Sequence, residues 1–440
     1  MLIALIIFAL TYILMLSFQK YRPHIALISA LIYIILGCCG MYNMGIASAF
    51  GAIDFNVLLM IGGTMGIVTL FIESKMPARL AEMLISKVPN VKWAVTVLAL
   101  FAGVISAFVD NVATVLMVAP IGLAISKKLN ISPVSVLIAI AVSSNLQGAA
   151  TLVGDTTSIL LGGFADMNFL EFFFMHGKFG IFWGVELGAL ASIFVLLFLF
   201  RKQKEKISAE VETEVEDYFP SVLMIGTVVL LICASFLPAP TSNSILITIY
   251  NLRAGLICLA LCIIGVIRAC LKSKKAEPFI QVIKDLDKDT LLLLLGLFII
   301  IEGITAAGVI DAAADLFYKI AGNNPFVLYT LIVFVSVILS AFIDNIPYVA
   351  TMLPVIQSIA ALMNSGAGAE PYVFYFGLLI GATLGGNLTP IGASANIAAI
   401  GILRKNGYTV KTSDFLKIGV PFTIAAVLTG YIYIWLVWGL

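Results

Sequence analysis

The chain has 440 residues, 61% hydrophobic and only 11% charged, with a formal net charge of +1. A soluble domain carries roughly 25% charged residues, so a soluble reading is excluded, and a charge near zero gives no pointer to nucleic acid, which is not expected as a partner. Apolar runs of about 20 residues recur along the whole length, each able to cross a ~30 Å hydrocarbon layer. A barrel would show short alternating segments instead, so the chain reads as an all-α polytopic membrane protein in contact with the lipid bilayer.

In chain order, spans are predicted at 2–18, 25–42, 54–72, 179–200, 220–237, 253–271, 290–309 and 418–438. The run Met1–Leu16 lacks a basic start and leads into further spans, so no cleavable signal is expected. With Lys20–His24 placed in the cytoplasm, only Lys178, Arg253 and Lys319 of the 25 Lys and Arg residues fall on the outer side. This asymmetry fits the positive-inside rule.

The charge bias holds only if segment 93–128 enters and leaves on one side, since Lys92 and Lys127–Lys128 flank it. Arms of about 14–17 residues, ~21–25 Å of helix, are too short to span comfortably. The segment is therefore predicted to be a re-entrant helical hairpin with Asp110-Asn111 at its tip. Segment 326–363 is predicted to be a second hairpin entering from outside, because its mouths, Asn323–Asn324 and Asn364–Glu370, carry no Lys or Arg.

The two tips repeat one another. "SAFVDNVATVLMVAP" at 106–120 and "SAFIDNIPYVATMLP" at 340–354 share Ser, Ala, Phe, Asp, Asn, Val and Pro. A second pair follows: "SSNLQGAATLVGDTTSILLGG" at 143–163 and "GATLGGNLTPIGASANIAAIG" at 381–401, where Gly148, Thr151 and Gly154 align with Gly386, Thr389 and Gly392. Helical hydrogen bonding is hard to sustain through Gly-rich sequence, and Pro390 breaks the second copy. Segments 134–163 and 371–403 are thus predicted to be discontinuous transmembrane helices. Residues 1–206 and 220–440 form two inverted-topology repeats, joined by a cytoplasmic linker, 207–219, inside the most charged stretch of the chain. The charged segment 272–289 reads the same way, with a surface helix as one option. Inverted repeats with broken helices are the usual build of secondary transporters.

Unwound carbonyls and carboxylates hold cations at such depth, and helix N-termini attract anions. Asp110 and Asp344 place a carboxylate at each tip, where an ionisable group costs at least a few kcal/mol unless it pairs or binds something. Cys258 and Cys262 lie one turn apart and read as packing residues rather than a soft-ion site. Neither His24 nor His176 builds a metal site with them.

At these motifs the chain resembles the ion transporter superfamily: the permeases grouped with the melanosomal P protein, the arsenite permeases and the D-type sodium/proton antiporters, with citrate and dicarboxylate carriers more distant. The resemblance covers nearly the whole chain. It implies a transport site formed by Asp110, Asn111, Thr114, Asn145, Thr151, Asp155, Thr156, Ser158, Asp344, Asn345, Asn387, Thr389, Ser394 and Asn396. It also implies a multi-pass protein of a bacterial or archaeal cytoplasmic membrane, with a homodimer as one arrangement. The first unwound stretch departs from the Gly-Asp-Pro-Pro-Asn common in P-type relatives, reading Gly154-Asp155-Thr156-Thr157-Ser158, and Gln147 stands where Gly is common.

That set holds three acids, Asp110, Asp155 and Asp344, and no Lys or Arg, which favours a sodium or proton site. A bound sodium is expected at Asp110, Asn111, Asp344 and Asn345, with no other cofactor. Glu302 is either a coupling group or a structural acid bonded to a neighbouring helix. The expected activity is secondary active transport of a small ion or small anion by alternating access, coupled to sodium or protons. A di/tricarboxylate or arsenite permease is the alternative within the superfamily, and an ion channel the alternative class. No enzymatic role is expected: no water-activating motif adjoins the paired aspartates, and no nucleotide-binding loop is present.

Overall fold

A computed structural model describes residues 1–128, 131–206, 211–241, 243–364 and 371–439. Residues 207–210 of the predicted linker and 365–370 of the second hairpin mouth lie outside the described residues.

The first half begins with α1 (Leu2–Ser17), α2 (Arg22–Cys38), a short α3 (Ile46–Gly51) and α4 (Phe55–Glu73). After α5 (Met76–Ile85), the predicted hairpin forms from α6 (Val91–Ser106) and α7 (Asn111–Lys128). The predicted broken helix follows as α8 (Pro133–Gly148) and α9 (Thr156–Phe164), and α10 (Ile181–Leu199) closes the half. Between α9 and α10 sits a two-residue antiparallel pair, β1 (Phe174–Met175) and β2 (Lys178–Phe179).

The second half repeats the order. It has α11 (Phe219–Ser235), α12 (Ser244–Asn251), α13 (Arg253–Ser273), α14 (Glu277–Asp285) and α15 (Lys288–Ala306). Then come α16 (Val309–Ala321), a hairpin of α17 (Pro325–Ser340) and α18 (Asn345–Asn364), and α19 (Pro371–Leu379). A π-helical turn over Ile380–Leu384 and a 3-10 turn over Gly386–Leu388 precede the break, then α20 (Ser394–Lys405) and α21 (Thr412–Trp438). Helices α16 and α17 meet at 119°. Eight helices among the described residues are long and apolar enough to cross a membrane; they include the hairpin arms α7 and α18, of 18 and 20 residues where about 14–17 were expected, and leave out α1 and α11, predicted as spans, which have only 16 and 17.

The duplication extends to helix caps. Asp54 Oδ1 accepts from the Val57 amide at 3.0 Å, and Asp287 Oδ1 from the Thr290 amide at 3.0 Å, starting α4 and α15. Asn90 and Asn324 do the same for α6 and α17. Such side-chain oxygens satisfy N–H groups that the first helical turn leaves unpaired.

The outer helices are exchanged between halves. α2 packs along α15 and α13 along α4. Gly63 and Gly296, at equivalent positions, permit both contacts: a Cβ would fall 2.5 Å from the Cys258 carbonyl carbon in one and 2.7 Å from that of Ala26 in the other. Cys258 and Cys262 pack against Gly63 and Gly66, and no group of three or more metal-ligating His, Cys, Asp or Glu occurs among the described residues. Large apolar side chains on α1, α2, α10, α11 and α13 are exposed, as lipid contact requires. The interrupted helices lie innermost, with Val136 to Gly148 buried throughout.

The linker is exposed along much of its described length but is anchored at two points. Glu82 accepts hydrogen bonds from the Glu212 and Thr213 amides at 3.1 and 2.9 Å, and Arg79 donates to the Thr213 carbonyl at 3.0 Å. Asp217 then pairs with Arg268 at 2.6 Å and Lys272 at 3.1 Å. The linker backbone is thus held on α5 and its Asp217 on α13, while the Glu212 and Glu214 side chains stay exposed as predicted. Burial opposes ionisation of Asp217, but hydrogen bonds from Arg268, the Phe219 amide and Lys272 outweigh it and hold its carboxyl down to about 2. The pairing is therefore fully present above the ordinary Asp value of about 4 and is lost as pH falls through about 2.

Two outcomes follow. The gap in thermal midpoint between wild type and Asp217→Asn should be open at pH 7 and should narrow as pH is lowered from 4 towards 2. Gly154→Ala and Gly392→Ala should each destabilise by about 1–3 kcal/mol through overpacking, because a Cβ there meets backbone oxygens at 2.6–2.9 Å on three sides. Gly226→Ala, with nothing within 4 Å, should not; thermal unfolding in detergent reads all three.

Candidate functional site

Each hairpin tip is a short non-helical turn ended by an aspartate that starts the next helix. Asp110 Oδ1 accepts from the Val112 and Ala113 amides at 3.0 and 3.2 Å, and Asp344 Oδ1 from the Ile346 amide at 3.1 Å. Each break in the adjoining helix is sealed against its own tip. Thr151 Oγ donates to the Ala107 carbonyl, and Thr389 Oγ to the equivalent Ala341 carbonyl. Ser158 donates to the Gly148 carbonyl at 3.1 Å, and Asn396 to Gly386 at 3.0 Å. Unwound backbone in a low-dielectric interior must find such partners, and the duplicated sequence finds the same ones twice.

The halves then join through polar side chains. Asn145, fully buried, uses both its N–H donors and its carbonyl oxygen. It donates to the Thr383 carbonyl at 2.6 Å and to Asn387 Oδ1 at 3.1 Å, and it accepts from Asn111 at 2.9 Å. Asn387 reaches back to the Val142 carbonyl at 2.9 Å. Asp155 caps α9 through the Thr156 amide at 2.7 Å. Its other oxygen accepts from Thr157 at 3.0 Å and from Asn345, on the opposite tip, at 3.3 Å. Thr157 and Thr383 hydroxyls lie 3.0 Å apart; with the Thr157 proton given to Asp155, Thr383 is the donor between them.

One expectation fails. The residues expected at the site include no basic group, yet Arg22 Nη1 lies 2.9 Å from Asp344 Oδ2, with side chains only 13% and 4% exposed. Ser394 donates to the same oxygen at 2.9 Å. Arg22 begins α2, and as a flanking arginine it reads from sequence only as a topology marker. Its long side chain carries it from the helix end to the tip. The pair lines a cavity of about 220 Å³ with Gln19, Asp287 and Asp289.

Of the remaining sequence candidates, Thr114 is buried but faces its own tip, donating to the Val109 carbonyl at 3.4 Å. Thr156 contributes its amide. Glu302 makes no hydrogen bond or ion pair among the described residues, so it is not bonded to a neighbouring helix. It lines a separate cavity of about 390 Å³ with Asp54 and Gln357. At the position expected for sodium, Asp344 Oδ2 meets Arg22 and Ser394, while Asn111 and Asn345 engage Asn145 and Asp155 through their amide nitrogens and not through their oxygens. Further capacity lies beside the breaks: Ser106 Oγ, both polar atoms of Gln147 and Asn396 Oδ1 are buried without a hydrogen-bond partner among the described residues. Thr157, Thr383, Ser144 and Ser340 also belong to the seam and were missed; only their density of short hydroxyls beside the motifs signals them. Ser144 donates to the Asn111 carbonyl at 3.0 Å and Ser340 to Ala382 at 2.6 Å.

Asn145→Ala should lower the thermal midpoint more than any other single change in the seam. It strands the Thr383 carbonyl, Asn387 Oδ1 and the Asn111 amide, at about 1–3 kcal/mol for each group left unpaired.

Comparison with known proteins agrees with this architecture. An uncharacterized transporter of Mycobacterium tuberculosis is 29% identical over 439 residues, covering 99% of this chain and 98% of the relative. The human P protein is 26% identical over 449 residues, covering 87% of this chain and 53% of its own length. Two solved structures share the fold at 14% identity: the YdaH transporter of Alcanivorax borkumensis, described as having an unusual topology, and MtrF of Neisseria gonorrhoeae, described with a class of antimetabolite efflux pumps. The first has a TM-score of 0.57 over 92% of this chain and 88% of its own, the second 0.58 over 92% and 84%. The family model for the citrate transporter, CitMHS, matches residues 3–376; the chain is a membrane transporter and belongs to the citrate transporter family.

Proposed function

We propose that the protein is a secondary active transporter that moves a small ion or small anion by alternating access, coupled to sodium or protons. The observation that carries this reading is the seam itself. Two hairpin tips and two interrupted helices converge through Asn111, Asn145, Asp155, Asn345 and Asn387. Of the three carboxylates, Asp110, Asp155 and Asp344, only Asp344 pairs with an arginine among the described residues, so the surplus charge is negative and a cation is the natural guest. Buried oxygens of Ser106, Gln147 and Asn396 stand ready to replace part of a hydration shell. Sodium enters this scheme as cargo or coupling ion.

A second reading has its own support. Arg22 offers a guanidinium suited to carboxylates, and the family model carries the name of citrate. A di- or tricarboxylate would then approach the Asp344 tip from the cavity that Arg22 lines.

Proteoliposome flux separates the two. Under imposed sodium or proton gradients, cation movement without any carboxylate supports the first reading. Citrate uptake that disappears in Arg22→Gln supports the second. On the first reading Asp110→Asn and Asp155→Asn each lower coupled flux at least tenfold while the purified protein stays monodisperse; unchanged flux in both would remove their role.

A further inference from the structure

The exchanged helices make a second arginine comparable with Arg22. α2 begins at Arg22 and packs on α15; α13 begins at Arg253 and packs on α4. Ala26 meets Gly296 and Cys258 meets the equivalent Gly63, so counting back from each contact brings Arg22 and Arg253 into register within one residue. Their surroundings correspond as well. Arg22 shares its cavity with Asp287 and Leu293, while Arg253 shares one with Asp54 and Met60, the matching positions of α4.

The two cavities differ in one respect. On the Arg22 side a hairpin tip is docked: Asp344 and Ser394 form part of the wall, and the space is about 220 Å³. On the Arg253 side neither Asp110 nor Thr156, their counterparts, reaches the wall, and the space is about 490 Å³. Arg253 turns onto its own neighbour, donating to the Tyr250 carbonyl at 2.8 Å and lying 3.9 Å from that ring. Asp110 has no basic partner among the described residues. The positive-inside assignment puts the two arginines on opposite sides of the membrane.

We propose that Arg22 and Arg253 are alternating latches. Arg22 holds the Asp344 tip in the state seen here. When the inner elements shift towards the opposite face, that pair opens and Arg253 takes Asp110. The exchange keeps one tip carboxylate neutralised by the protein and leaves the other free for the travelling ion at each end of the cycle. This rests on the alternating-access reading above. Both arginines are positioning residues that bias which state is occupied.

The test uses full-length protein reconstituted in vesicles, with native cysteines replaced and a protease site in the 207–219 linker. Two cysteine pairs are compared, Arg22→Cys with Asp344→Cys and Arg253→Cys with Asp110→Cys. An arginine–carboxylate pair holds its Cα atoms beyond disulfide reach, so a short bifunctional thiol reagent is used. After proteolysis, cross-linked halves stay together on a denaturing gel. Both pairs are expected to link, and Arg22→Glu should raise linking of the second pair severalfold. The latch is overturned if only the first pair links under every sodium and proton gradient. Should the second pair fail to fold, Arg253→Gln must raise the linking rate of the first pair; no change overturns the proposal equally. Ion-driven flux with a second pair that never links would sink the latch and spare the transport reading. Two linking pairs with no ion-driven flux would do the reverse.

Discussion

Everything in the interior follows from one constraint: main-chain groups released from a helix at membrane depth need partners that water cannot supply. Here the partners are short side chains in the breaks themselves and on the helices beyond them. Thr151 and Thr389 hold the tips, while Ser158 and Asn396 close the gaps. Larger residues would not allow the approach, since Gly154 and Gly392 lie against three carbonyl oxygens each. The breaks are thus fixed features of the fold, and their few unsatisfied oxygens are a defined local surplus.

The duplicated framework is repeated closely, but its use is asymmetric. Asn145 and Asp155 of the first half reach into the second, whereas their counterparts by alignment are Thr383 and Ala393. Gln147 fills a position that is Gly385 in the other copy. Arg22 engages a tip while Arg253 does not. Duplication sets the cradle, and the departures from it decide which groups face the interior.

Much of this was legible in the chain. The repeated Asp-Asn tips, the Gly- and Thr-rich breaks and the flanking lysines are local signals, so both hairpins and both interrupted helices read correctly. What the sequence hid was long-range. Nothing around Arg22 distinguishes a topology marker from a partner of Asp344, 322 residues away. The anchoring of Thr213 and Asp217 on α5 and α13 was equally invisible, because a run of charges reads as solvated until its partners are placed. The amphipathic helices α5 and α16 also escaped a search tuned to spans. Glu302 looked significant for its depth alone, and depth does not say which cavity a side chain lines.

The exchange of α2 and α13 bears on how the polypeptide is made. Synthesis runs from the amino terminus, so α4 leaves the ribosome long before α13 exists to cover its glycine face, and α2 must wait for α15. The early segments can form Asn111–Asn145 and Thr151–Ala107, but Asn145 still lacks Thr383 and Asn387, and α2 and α4 lack the helices that cover them. Packing of the exchanged helices then arrives late, and a chain halted near its middle would leave an incompletely covered substrate for membrane quality control rather than a working half.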